Sequence, residues 1–340
     1  MTNRLELNWK VDGFVDEQRY YCSETAIDPL NLPLPKAVLA GDVRTYVDTD
    51  VEFGKTYFVR VGSVKNGVEK ISDEKLILVG AEWTPLNLSP SLYFDASNVL
   101  QTSNVVSQMT DLSANAFHAT QSSNSNRPIL NNGSLLFNGS NSYMSLSDGA
   151  LNTLKSVDSA FIFAVFSKNT LDQSSNERPV FTFSTANYST RCGIFSGLSG
   201  ANTYNKINFL VRRLDSDSSV IINSPFDCIA GRKYIVFGEV DYINRRSSLF
   251  IDGVLIETKT GIFTAGGTTS NTTSPNARVC ANSAQLANTF GAVNLDGLVI
   301  KNHSISNFDR QKLEGWAAHK YGLTDNLPID HPYKTLVPTV

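Results

Sequence analysis

No run of about eighteen apolar residues, the length that spans a bilayer as a helix, occurs in the 340-residue chain, so no membrane segment is expected. Residues 1–7 hold a single Arg4 with no apolar stretch behind it, the pattern of a protein made in a cytoplasm without a secretion signal. Cysteine is scarce. Cys22, Cys192, Cys228 and Cys280 stand far apart with no C-x-x-C pair, and His118, His303, His319 and His331 show no ligand spacing beside them. Buried free thiols follow, and structural zinc does not. Charge is scarce too, at 18% with a net value of −3, and no basic cluster exceeds a pair such as Arg212-Arg213 or Arg245-Arg246. That balance lacks the electrostatic footprint of a protein that binds nucleic acid or an anionic membrane, so neither is expected as a partner. The G-x-S-x-G, H-E-x-x-H, P-loop and dinucleotide motifs are missing, as are coiled-coil heptads and any long repeat.

What is present is β-pattern. Apolar residues make up 41% of the chain and aromatics 10%, enough for sizeable cores, while Asn, Ser and Thr carry a polar surface suited to extracellular or virion exposure. The length exceeds what one hydrophobic core covers, so two domains are expected. The organising stretch is 233–253, where Tyr234, Val236, Val240 and Tyr242 alternate around a break at Gly238 and residues 244–248 turn. Leu249 and Ile251 restart the alternation, and Asp252-Gly253 supplies the positive φ values of a two-residue hairpin loop leading into 254–256.

Residues 1–80 read as short strands at the spacing of a seven-strand sandwich: 5–11, 19–22, 45–47, 57–61, 68–71 after an Asn66-Gly67 turn, and 76–79. The run 45–61, with Trp9 and Tyr57 as its two signature aromatics and Gly54 just before Tyr57, resembles a fibronectin type III domain. The resemblance implies core roles for both aromatics, a corner at which the Tyr57 hydroxyl pins nearby backbone, and a docking or spacer module. Residues 81–91, with Pro85 and Pro90, read as a linker.

From residue 92 the apolar runs 160–166, 179–183 and 207–211 supply core strands, and 184–205 and 263–278 read as long loops. A helix is predicted over 307–321. Ser306 and Asp309 cap it, Leu313, Trp316, Ala317 and Tyr321 form its apolar stripe, and Gly322 stops it.

Several segments in order are similar to the laminin-G or concanavalin-A-like jelly-rolls of bacteriophage tail and other virion proteins. Residues 93–98 resemble "LWLDASD", 106–121 parallel "V..W.D.SGNG.HATQ", and Arg127-Pro128 with 136–140 parallel "RP" and "FDGSDD". Residues 313–334 resemble the tail "LEGYLAHKWGL…LP..HPYK". In that tail Trp316 and Tyr321 are expected to cap the sandwich, with His319 and His331 hydrogen-bonded locally. The overall reading is all-β: a small immunoglobulin or fibronectin III-like sandwich at 1–80, then a concanavalin A-like jelly-roll at 92–340 with one C-terminal helix. No cofactor is called for. A calcium ion carried over from the family would fall to Asp95 and Asp111, although Asn138 stands where the family has an Asp and Met109 where it has a Trp.

Glu239 and Asp241 sit two apart on one strand, as the acids of glucanases of this fold class do. The position three further on, however, is Asn244, which cannot protonate a leaving group, and Asp241 and Asn244 suit a turn. No enzymatic activity is expected, and a glycan-degrading enzyme ranks third. The resemblance instead implies a virion protein shown on the tail or particle surface that binds host glycan, with Tyr188, Arg191 and Tyr204 as candidate ligand contacts. A head-decoration or tail-collar subunit without a ligand is the rival. Other phage structural proteins are the expected partners, and assembly as a homo-oligomer, a trimer for preference, supplies the avidity that a single sugar site lacks.

Overall fold

A computed structural model describes residues 4–80, 82–172, 176–199, 203–282 and 289–340. Ala81, the first residue of the expected linker, and 200–202 within the expected 184–205 loop fall outside them. The chain divides into two compact units, Met1–Trp83 with Thr339–Val340, and Thr84–Pro338. Both are antiparallel β-structures, and the architecture is the all-β sandwich pair with, among the described residues, a single α-helix near the C-terminus.

In the first unit Leu5–Asn8 pairs with Thr45–Asp48. Opposite them Glu17–Ser23 and Thr56–Lys65 form the centre of a five-stranded sheet, flanked by Ala37–Ala40, Val68–Ile71 and Lys75–Leu78. Alternation along Thr56–Lys65 points Tyr57 and Val59 into a core shared with Leu5, Tyr20, Val51 and Val79. The Tyr57 hydroxyl accepts the Glu52 backbone N–H at 2.8 Å, which is the corner expected of it. Tyr20 ties the two layers together by donating its hydroxyl to Asp48 at 2.9 Å.

Trp9 does not take the core role assigned to it. Trp9 keeps the inward phase of Leu5 and Leu7, but it lies just past the strand's end at Asn8 and stays outside the core cluster. It is half-buried on the wall of a surface groove, and its N–H finds no acceptor among the described residues. The strand Ala37–Ala40 escapes sequence reading because it follows a Pro-rich excursion and buries none of its four residues fully.

The second unit begins with a 3-10 turn, Pro85–Leu88, that buries Pro85 and Leu88. Its first sheet is built on Val293–Lys301. Leu92–Asp95 and Ser134–Leu136 pair along one edge of that strand, and Ser159–Lys168, Lys233–Asp241, Arg246–Ile251 and Val254–Thr260 follow on the other. The second sheet runs Val99–Thr102, Val105–Met109, Ala119–Thr120, Met144–Leu146, Ala277–Val279, Pro179–Ser184, Thr190–Phe195, Asn208–Val211 and Val220–Asn223. Ile129–Asn131 pairs with members of both. Between them lies one large core, with Ile162, Phe166, Val236 and Leu298 meeting Phe181, Phe183, Ile194 and Phe209.

The hairpin at the centre of the sequence forms as expected at its turn, where Asp252 and Gly253 take φ values of 51° and 79°. Gly238, however, does not break its strand. A Cβ there would lie 2.4 Å from the Phe209 ring, so the glycine admits that ring from the opposite sheet while the ladder continues. The expected loop 184–205 is also partly strand: Pro179–Ser184 and Thr190–Phe195 make a hairpin.

Every residue of Ser159–Lys168 is buried, which requires cover on both faces of the first sheet. The core supplies one. The other is the helix Asn307–Tyr321, whose Trp316 meets Tyr93 edge-on at 5.9 Å and whose Arg310 lies 3.9 Å over the Phe250 ring. Its start is fixed by the Ser306 hydroxyl accepting the Asp309 N–H, and its end by Gly322 at φ 70°. Gly315 within it has Tyr333 where a Cβ would stand, so the C-terminal tail seats directly on the helix. The two tail histidines bond locally, His319 to the Tyr333 carbonyl at 3.0 Å and His331 to Glu314 at 3.3 Å.

Candidate functional site

The three candidate ligand contacts separate in space and in character. Tyr188 sits at the tip of the hairpin joining Pro179–Ser184 to Thr190–Phe195, with φ 59° and 56% of its surface exposed. Tyr204 lies beyond the far end of Thr190–Phe195, a strand of six residues, so roughly 20 Å of chain at about 3.3 Å per residue parts the two tyrosines. They do not form one site.

Arg191 lies on the strand and not in the loop, and it is fully buried. Its guanidinium donates to Asp215 at 2.6 Å, to the Thr272 hydroxyl at 2.7 Å, and to the backbone carbonyls of Leu154 and Thr272. Burial raises the Asp215 carboxyl, but hydrogen bonds from Thr272 and Arg191 outweigh it and hold the group below the usual range. Arg191 is therefore a brace for the irregular segment that carries Thr272. As a sugar contact it is ruled out by its burial.

Tyr204 does line a cleft. With Asn205, Lys206, Pro225 and Asp227 it encloses about 400 Å³. The loop that presents it is fixed from beneath by a side chain that hydropathy reading overlooked, the fully buried Lys168 at the end of Ser159–Lys168. Its ammonium donates to the carbonyls of Ser196 and Tyr204 at 2.9 and 2.8 Å and pairs with Asp172 at 2.7 Å. Asp172 pairs in turn with Arg178 at 2.7 Å, and its backbone N–H donates to the Asn205 side chain at 2.9 Å. Burial lowers the Lys168 pKa. Burial raises that of Asp172, but the Arg178 and Lys168 bonds bring it below its usual value. Gly197 lets the strand end approach, since a Cβ there would fall 2.1 Å from the Tyr204 carbonyl.

Inside the cleft Lys206 donates to the Pro225 carbonyl at 3.1 Å and stands 3.9 Å from the Asp227 carboxylate. Tyr204, the Lys206 ammonium and a largely exposed Asp227 carboxylate thus line one opening. Lys206 and Asp227 were not singled out from sequence, because they are twenty-one residues apart and only the strands between them bring them together.

Asp95 and Asp111 are filled by the chain itself. Asp95 accepts the Tyr321 hydroxyl at 2.8 Å, pairs with Lys320 at 2.6 Å and accepts the Ser97 N–H at 2.9 Å. Asp111 accepts the N–H groups of Tyr93, Ser113 and Phe117 and the Ser113 hydroxyl. The Asn138 side-chain oxygen likewise gathers the N–H groups of Ser140, Asn141 and Ser142. Asp95 anchors the helix and Asp111 the strand Leu92–Asp95, and their donor-filled oxygens do not fit a calcium ion. Among the described residues no cluster of three or more His, Cys, Asp or Glu could hold a metal.

Glu239 lies on the helix-covered side of its strand, two residues from Phe237, and its carboxyl is raised, burial outweighing Arg246 and Arg310. Asp241 accepts both the backbone and the side-chain N–H of Asn244, which is the turn role expected of it.

No protein-family model matches the chain, and no curated protein does. Among solved structures it is similar to the binding domain of botulinum neurotoxin serotype D, at 12% identity and TM-score 0.47, with 67% of this chain and 51% of that one covered. It is similar to a Trypanosoma rangeli sialidase in complex with sialic acid, at 11% identity and TM-score 0.46, with 78% of this chain and 43% of that one covered. A third is the CBM40 domain of a Ruminococcus gnavus sialidase bound to α2,3-sialyllactose, at 16% identity and TM-score 0.37, with 47% of this chain and 84% of that one covered. This chain thus spans about half or less of the first two. These are distant likenesses of shape and carry nothing about ligands.

Proposed function

We propose that the chain is a bacteriophage virion protein whose first unit attaches it to the particle and whose second unit binds a saccharide of the host surface in the Tyr204–Asp227 cleft. The observation that carries the reading is the bracing of the loop by Lys168 and Asp172, which holds the Tyr204 carbonyl and the Asn205 side chain in a cleft that Lys206 and Asp227 also line. A pyranose ring stacks its apolar face on Tyr204, a hydroxyl donates to Asp227, and Lys206 donates to a ring or hydroxyl oxygen. Such a site is small, so repetition on the particle, as a closed trimer or through the particle lattice, multiplies its affinity. Binding requires no catalytic step. Incubation with capsular polysaccharide is expected to release no new reducing ends.

A glycan array with the purified chain tests the reading. At least one saccharide class is expected to bind, and Tyr204→Ala should weaken it about tenfold or more, in line with the loss of one stacking aromatic, without changing the melting temperature. A blank array, or binding indifferent to Tyr204→Ala, turns the assignment to the rival reading of a ligand-free decoration or collar subunit.

A further inference from the structure

The first unit is an unfinished sandwich. Two short strands, Leu5–Asn8 and Thr45–Asp48, stand against a five-stranded sheet. On the strand Thr56–Lys65 the residues that follow Tyr57 and Val59 on the core-facing side are Val61, Ser63 and Lys65, and none of these three is fully buried. Where a further covering strand would lie, residues 9–15 form the other wall of a groove of about 590 Å³. Its apolar lining includes Trp9, Val61, Val68 and Phe14, the last 92% exposed.

Two features say what kind of occupant suits it. The first is charge: Lys10, Lys65 and Lys70 line the groove against a single acid, Asp12, and among the described residues none of the three lysines is ion-paired. The second is backbone. Val68–Ile71 is hydrogen-bonded along one side, to Thr56–Lys65, and among the described residues no strand pairs with its other side. An edge of that kind offers free N–H and C=O groups to an added strand.

We propose that the groove docks an extended segment of a partner protein, added along Val68–Ile71, with apolar side chains turned onto Trp9 and Val61 and carboxylates turned to the three lysines. The choice of a protein as partner rests on the attaching role proposed above for the first unit.

The test uses the full chain and a fluorescent decapeptide alternating valine or isoleucine with glutamate, its lysine-for-glutamate counterpart, and an unlabelled thymidine decamer as competitor. Fluorescence anisotropy should show saturable binding of the acidic peptide alone, weakened as salt rises. The double variant Lys65→Glu with Lys70→Glu, both exposed and so expected to leave melting unchanged, should lose at least tenfold in affinity for the acidic peptide and gain binding of the basic one. Equal binding of both peptides, competition by the thymidine decamer, or indifference to the double variant overturns the proposal. So does self-association of the chain that the double variant abolishes, because the occupant is then a second copy. The attaching role itself falls on a separate observation, absence of the chain from purified particles.

Discussion

The two units bury their sheets to different depths, and the contrast decides where each can meet another molecule. In the second unit the strand Ser159–Lys168 is covered by the core on one face and by the C-terminal helix on the other, with Phe161 stacked on Phe237 at 5.1 Å and, beneath the helix, Trp316 edge-on to Tyr93 at 5.9 Å. Little of that sheet is left uncovered, so the open surface is at rim loops such as the one carrying Tyr204. In the first unit two strands face five, Phe14 and Val68 stay exposed, and the sheet face itself is on offer. A closed sandwich leaves its rim open to a partner, and an incomplete one leaves part of its sheet uncovered, at a cost in stability.

Trp316 and Trp9 measure this contrast. Trp316→Ala should destabilise the second unit by roughly 3–5 kcal/mol, the usual cost of deleting a buried aromatic, read as a lowered unfolding midpoint in denaturant. An unchanged midpoint would mean that the helix adds nothing to the sheet it covers.

A smaller effect is expected at Asp252, which sits in the turn after Arg246–Ile251, accepts the Ile235 N–H at 2.9 Å and pairs with Arg232 at 2.8 Å. Burial pushes its carboxyl up to about 6, outweighing those two partners. An acid held above its unfolded value keeps its proton more tightly when folded. Its contribution to stability is therefore full below the ordinary value near 3.8 and is lost as pH rises through about 6. Asp252→Asn keeps the acceptor and tolerates the positive φ, so it should raise stability at neutral pH by about 1–3 kcal/mol and change it little in acid. Melting scans across that range check both halves, and a loss at neutral pH would show the Arg232 pair to dominate.

The smallest effect is expected at Trp9→Ala, about 1 kcal/mol, since its indole walls a groove and fills no core. A cost equal to that of Trp316→Ala would erase the distinction between the units.

Much of the fold was legible before the structure. Alternation located most strands, Asp252-Gly253 fixed the hairpin register, and Ser306 with Gly322 bounded the helix at the residues where it starts and stops. These features succeed because each depends on neighbours within a turn or two of chain. The reading failed where residue type suggested one environment and distant partners made another. Arg191 looked like an exposed loop contact, and Trp9 looked like core. Of the cleft, Tyr204 was legible as an aromatic in an irregular stretch, whereas Asn205, Lys206 and Asp227 were not.

The sequence by itself determined the all-β class, the turns and the caps, because period and φ preference are local properties of the chain. Only the tertiary structure decided which charges go inside. Arg191 is buried because Asp215 and Thr272, brought from elsewhere in the chain, meet its guanidinium, and Lys168 because Asp172 and the carbonyls of Ser196 and Tyr204 surround its ammonium. A buried charge is tolerated only when its partners are already in place, and their assembly is a property of the folded whole.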